Sequence, residues 1–248
     1  MIVDFLVPSW NRLDHIRHFA ARLEVISEIA GLSYRLFTTE PEFNSDDLAD
    51  YNYTNDAWSR GVALNILLDT YYQSNNDEDC DYVCICDNDV VLSPQLFDED
   101  ELYHFNVLGG FEIYLDLNSL PSGEINETWF TEVFGLPVKP GSAIYDQKRR
   151  YRGCIITDSE LMIDAYMFER GRTGRMVLEF DKWGCEDIAL CCLVGKLADD
   201  WSKPSQYINN AWRHIYHREQ DTKFDGINSH NNKALNEYCN ELDMALKI

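Results

Sequence analysis

Short apolar runs alternate with long amphipathic ones between Ile2 and Asp89, and this order admits few architectures. Ile2 to Val7 reads as a strand ended by Pro8. A helix is expected from about Arg12 to Ala30, with Leu13, Ile16, Ala20, Leu23 and Ile26 as its buried stripe. Asn11 is placed to cap it, with Asp14 three residues on, and Gly31 to end it. Tyr34 to Thr38 reads as a second strand. A polar stretch then leads to a helix from about Trp58 to Tyr72, and Tyr82 to Cys86 forms a third strand. Strands separated by helices in this way build a parallel sheet with helices on its faces. The expected class is therefore α/β.

Beyond Ser93 the pattern loosens. Proline, glycine and scattered aromatics run to the basic cluster Lys148-Arg149-Arg150-Tyr151-Arg152. Helical periodicity returns at Asp158 to Glu169, at Glu186 to Leu197 and at about Lys233 to Leu246. The 248 residues suffice for one large domain, here read as a single unit without a linker. The change of pattern divides it at about residue 92, into about residues 1–92 and about 93–248.

A formal net charge of −22 disfavours broad binding to nucleic acid or anionic membrane, because like charges repel. Of the eight cysteines, Cys84 and Cys86 sit in the third strand and Cys191 and Cys192 in a helical pattern, which suits small core residues. The absence of a Cys-x-x-Cys pair argues against zinc. The opening Met-Ile-Val-Asp-Phe-Leu-Val is too short and acidic for a signal peptide, and no apolar run reaches membrane-spanning length. A reduced, cytoplasmic protein is expected.

Five clusters can carry chemistry. Asp87 and Asp89 stand one residue apart where the third strand runs out, so alternation would turn both carboxylates toward one hard cation. Asp-Asn-Asp is equally good turn chemistry. Val7-Pro-Ser-Trp-Asn-Arg12 joins the first strand to a helix start, the place where an α/β protein holds a nucleotide. Trp10 there suits stacking on a base and Arg12 suits a phosphate, although a packed turn is the plainer reading. Arg60, in Trp58-Ser-Arg-Gly-Val-Ala-Leu-Asn65, reads as a solvated first-turn residue on an otherwise apolar helix.

Phe180-Asp-Lys-Trp-Gly-Cys-Glu-Asp187 sets two carboxylates at a helix start after Trp-Gly. The helix dipole favours their ionised form, as a general base requires, and Trp183 offers a flat platform for a sugar. Acids are also ordinary in a first helical turn. In Arg213-His-Ile-Tyr-His217 a neutral imidazole of His214 or His217 can complete a metal shell, though a single histidine more often serves structure.

The order of these motifs resembles GT-A fold glycosyltransferases, most closely the β-1,4-galactosyltransferase and chondroitin-polymerase-like group. VPSWNRLDHIRHF, from Val7 to Phe19, is similar to that group's opening, and the motifs span residues 7 to about 217. The resemblance implies a single GT-A (Rossmann-like) domain with a mostly parallel central sheet, in which about residues 1–92 would be the nucleotide-binding half and about 93–248 the acceptor and catalytic half. It also implies a metal-dependent enzyme that moves a sugar from a nucleotide sugar, UDP-linked by expectation, to a glycan or other hydroxyl-bearing acceptor. On this basis Pro8, Trp10, Arg12 and Arg60 would hold the nucleotide, and Trp183 would line the sugar pocket. Asp89 would be the principal metal ligand, with Asp87 beside it and His217, rather than His214, completing the shell. Glu186 or Asp187 would be the base, with inversion at the anomeric carbon. An oxygen-rich shell suits Mg²⁺ or Mn²⁺, and the histidine tilts the choice to Mn²⁺.

Cys185 and Ile188-Ala189 depart from the group's Trp-Gly-Gly-Glu-Asp and from its further acid, which puts a galactosyltransferase-like acceptor in doubt. Lack of a membrane anchor fits a bacterial or viral enzyme. Two other readings stand beside this one. A virus-type transferase acting on nucleic-acid bases would use Lys148 to Arg152, Arg170, Arg172 and Arg175 as a phosphate track. A non-catalytic sugar-nucleotide or carbohydrate-binding protein would use the same fold without the base.

Overall fold

The structure is a computed structural model. It describes residues 1–9, 11–40, 51–52, 60–74, 80–97, 108–109, 114–116, 120–136, 154–175, 186–200, 212–216 and 228–246. Nine strands and six α-helices are described: β1 (Ile2–Val7), α1 (Leu13–Ala30), β2 (Ser33–Thr38), β3 (Tyr51–Asn52), α2 (Arg60–Ser74), β4 (Tyr82–Cys86), β5 (Val90–Leu92), β6 (Leu108–Gly109), β7 (Tyr114–Asp116), α3 (Glu127–Gly135), β8 (Cys154–Asp158), α4 (Ser159–Thr173), α5 (Glu186–Asp200), β9 (Trp212–Tyr216) and α6 (Asn228–Ala245).

Six strands form the main sheet in the order β3-β2-β1-β4-β8-β6. β3, β2, β1 and β4 are mutually parallel, while β8 pairs antiparallel with both β4 and β6. The expected α/β architecture, with a mostly parallel sheet flanked by helices, is thus the observed one. A second sheet of β5, β9 and β7 stands beside it, fed directly by the turn that follows β4.

Both faces of the main sheet are covered, which is why its strands read as continuous apolar runs. Val3, Phe5 and Val7 of β1, Cys84 and Cys86 of β4, and Cys154 and Ile156 of β8 pack toward α1 through Ile16, Phe19, Ala20, Leu23 and Ile26. Leu6, Phe37, Val83, Ile85 and Ile155 point the other way, into a core shared with α2, α4, α5 and α6. Asp4 is the charged exception within β1. It is fully buried, and the Arg35 guanidinium on the adjacent strand satisfies it through two nitrogens.

Helix termini follow local chemistry. Gly31 takes the left-handed conformation at φ 63°, and its N–H bonds the Ser27 carbonyl. Asp158 closes β8 and caps α4, its carboxylate accepting from the amides of Glu160 (2.9 Å) and Leu161 (3.3 Å). The expected Asn11 cap is not formed. Arg12 occupies the cap position of α1 without a side-chain cap bond, and Asn11 sits at φ 51°, bending the chain between Ser9 and the helix. α3 lies in a stretch where the sequence signalled only irregular chain. Asn126 starts it by accepting from the Trp129 amide at 3.0 Å, and Trp129, Phe130 and Val133 bury its inner face.

Candidate functional site

The carboxyl ends of β1, β2 and β4 carry a dense polar cluster. β4 stops at Cys86, and residues 87–89 form a turn closed by the Val90 amide on the Asp87 carbonyl at 3.2 Å. Strand alternation therefore does not set the two aspartates, which flank a turn, as the plainer reading of Asp-Asn-Asp had it. Their environments differ sharply. Asp89's side chain is 3% exposed and Asp87's is 24% exposed.

An arginine meets each carboxylate. Arg60 donates from Nε (3.0 Å) and Nη2 (2.7 Å) to Oδ1 of Asp87. Arg60 is buried, so the solvated reading of this residue is overturned: its place on α2 holds the turn from the α2 side of the sheet. Arg12, half exposed, reaches Oδ2 of Asp89 with Nη1 at 3.3 Å.

A third arginine lies beneath the turn, and the sequence reading passed over it. Arg22 sits on the buried side of α1 and donates from Nη2 to the carbonyls of Asn88 (3.2 Å) and Val90 (3.3 Å). Burial lowers its pKa to about 10, partly offset by the nearby Asp89 charge. The signal was present as a charged residue three positions after Phe19 and four before Ile26, within the apolar stripe. The middle carbonyl, that of Asp89, accepts from the Ile215 amide of β9 at 2.9 Å. Beneath the turn, burial pushes the Cys84 and Cys86 thiols upward, so these residues act as small apolar packing.

The loop after β1 is tied into the same cluster. Asn88 Nδ2 donates to Ser9 Oγ (2.7 Å), which donates to Glu40 Oε2 (2.9 Å). Glu40 Oε2 also accepts from the Arg12 amide at 2.8 Å, and Thr39 Oγ1 both accepts from the Ser9 amide and donates to its carbonyl. Glu40 is wholly buried, and its Oε1 has no hydrogen-bond partner among the described residues. Such a carboxylate oxygen is costly unless a ligand completes it. Sequence reasoning stopped at Thr38 and missed Thr39 and Glu40. The parallel pairing of Val7 with Thr38 brings both loops together, and pairing partners are not written in local periodicity.

The remaining expected residues are placed only in part. Pro8 is buried at the end of β1. Trp10, Trp183 and His217 lie outside the described residues. Glu186 and Asp187 begin α5, as expected, with side chains outside the described set. β9 pairs antiparallel with β5, His214 opposite Val90, and it ends at Tyr216, one residue before His217.

The donor chemistry fits a hard divalent ion. Two carboxylates flank one turn, and the more buried of them is met by the guanidinium of Arg12 at 3.3 Å. Among the described residues no group of three or more His, Cys, Asp or Glu side chains gathers as a complete shell. No described helix is long and apolar enough to cross a membrane. Of the basic residues suggested as a nucleic-acid track, Arg170 pairs with Asp69, and Arg172 with Glu169 and Glu241. Their charge is balanced within the fold, and residues 148–152 lie outside the described set.

No protein-family model matches the sequence, and no curated protein matches it. Solved structures do. Glucosyl-3-phosphoglycerate synthase from Mycobacterium tuberculosis, in complex with phosphoglyceric acid, superposes with a TM-score of 0.51 at 14% identity, over 96% of this chain and 80% of that one. A variant of Drosophila β1,4-galactosyltransferase 7 in complex with manganese, UDP-Gal and xylobiose gives 0.47 at 13% identity, over 94% and 79%. A glycosyltransferase involved in the glycosylation of the major capsid of PBCV-1 gives 0.37 at 10%, over 98% and 100%. The first of these establishes the fold, which is the GT-A fold that the motif order implied.

Proposed function

We propose that this chain is a metal-dependent glycosyltransferase that moves a sugar from a nucleoside-diphosphate sugar, UDP-linked, to an acceptor hydroxyl with inversion. The observation that carries this reading is the acidic turn at Asp87–Asp89, held by Arg60 and Arg22 and faced by Arg12 at the carboxyl ends of parallel strands. In open α/β sheets that edge is where ligands bind.

Asp89 and Asp87, with His217, would hold Mn²⁺ or Mg²⁺, which neutralises the charge that builds on a departing diphosphate. Arg12 has the reach and the forked geometry for a phosphate. Glu40 Oε1, buried and without a partner among the described residues, would be an acceptor for an N–H or hydroxyl in a nucleoside pocket formed there. Pro8 and Trp10 would bound the same pocket. Trp183 would carry the transferred sugar, and Glu186 or Asp187, at the start of α5, would take the proton from the attacking hydroxyl. One base acting on the face opposite the leaving group inverts the anomeric carbon, by the stereochemical logic of inverting glycosidases.

Asp89→Ala and Asp187→Asn are each expected to abolish transfer, and Asp89→Ala alone to weaken metal-dependent UDP binding. Full activity in either variant removes the role given to that residue. Donor binding without transfer or hydrolysis by the native protein would instead favour the non-catalytic reading.

A further inference from the structure

The two arginines on the acidic turn are held very differently. Arg60 is clamped through two nitrogens, one at 2.7 Å, and its side chain is 7% exposed. Arg12 touches Asp89 through one nitrogen at 3.3 Å, longer than a charge-assisted bond prefers, and its side chain is 43% exposed. Its backbone, however, is fixed, since the Arg12 amide is held by buried Glu40 at 2.8 Å. A firmly anchored residue thus presents a loosely held guanidinium to a carboxylate that is almost wholly out of water. A buried carboxylate needs positive neighbours; near Asp89, Arg22 is fixed by its carbonyl bonds, whereas Arg12 is one that can leave.

We infer that Arg12 is a placeholder cation. It neutralises Asp89 while the metal is absent and surrenders that carboxylate when a nucleoside diphosphate arrives. This rests on the proposed glycosyltransferase reading and deepens it. The metal and Arg12 compete for one carboxylate, so metal alone binds against the cost of displacing the guanidinium. A diphosphate gives the guanidinium a better partner, for a forked donor matches phosphate oxygens. Nucleotide binding then frees Asp89, and metal and nucleotide assemble with positive coupling that is equal in both directions.

The test is calorimetric titration of Mn²⁺ into native protein, Arg12→Met and Asp89→Ala, each with and without UDP. Arg12→Met is expected to bind Mn²⁺ alone roughly two- to fivefold more tightly than native protein, the range that loss of one partly exposed ion pair allows. The enhancement of Mn²⁺ binding by UDP should shrink in the same variant. A gain in affinity is not what a merely damaged loop would produce. Native protein that binds Mn²⁺ through Asp89, with Arg12→Met no tighter, overturns the placeholder and leaves the glycosyltransferase reading standing. Failure of all three proteins to bind Mn²⁺ or UDP overturns both.

Discussion

Arg22 places a full positive charge in a helix stripe that is otherwise apolar, and it does so for the turn rather than for the fold. A guanidinium brought down from 12.5 to about 10 carries a burial cost on the order of 3 kcal/mol at neutral pH. The sign follows from linkage, because the unfolded chain keeps this proton up to a higher pH than the folded one does. That cost is already net of the attraction of Asp89, and the carbonyl bonds at 3.2 and 3.3 Å hold the guanidinium in place. Arg22→Met should cost up to about 3–5 kcal/mol, because removing one partner leaves two carbonyls and the nearby buried Asp89 without it. Nucleotide-dependent metal binding should fall at the same time. A stability loss well beyond that in chemical denaturation would mean that the turn supports the fold itself. Legibility at this scale was uneven. Asp87, Asp89 and Arg12, which the structure brings together, stand out by chemistry at strand ends. Arg22 and Glu40 do not, because their roles come from what a neighbouring strand or helix brings to them.

The strands and longest helices are legible because each obeys one period and ends on a recognisable stop, as β1 does at Pro8 and α1 at Gly31. α3 and β8 are not, since nine helical residues bounded by Asn126 and an antiparallel strand inside a parallel sheet are set by packing partners distant in sequence. Contact between α2 and α4 gives a prediction of its own. Tyr166 stacks on Tyr72 with ring centroids 4.5 Å apart, and its hydroxyl donates to Asp69 at 2.8 Å. Burial, reinforced by that bond, pushes the phenol up to about 12. Between pH 10 and about 12 the folded protein keeps a proton that the unfolded chain gives up, so stability falls across this window. Thermal melts of Tyr166→Phe should show a shallower decline over the same interval. An unchanged slope would mean that the phenol is not titrating with the fold.

Among the described residues, the acidic turn leads from β4 of the main sheet to β5 of the small sheet of β5, β9 and β7. A ligand bound there stabilises the whole molecule by mass action. UDP with Mn²⁺ at about a hundred times the dissociation constant should add ~2.7 kcal/mol, a rise of roughly 5–10 °C in melting temperature for a chain of this size. The same shift with UDP and a chelator would argue that the nucleotide does not depend on the metal. The overall charge carries a further expectation at this scale. At −22 the molecule repels anionic donors at long range, so added salt should speed their association rather than slow it.

The turn between β4 and β5 has one more property. Its successive carbonyls are all tied: Asp87 to the Val90 amide, Asn88 and Val90 to Arg22, and Asp89 to the Ile215 amide. Little backbone freedom is left there for a cation to remove. The ordering entropy that usually taxes ion binding by a loop was spent when the protein folded, so any cost left for a cation would lie in side chains, above all in moving Arg12 off Asp89.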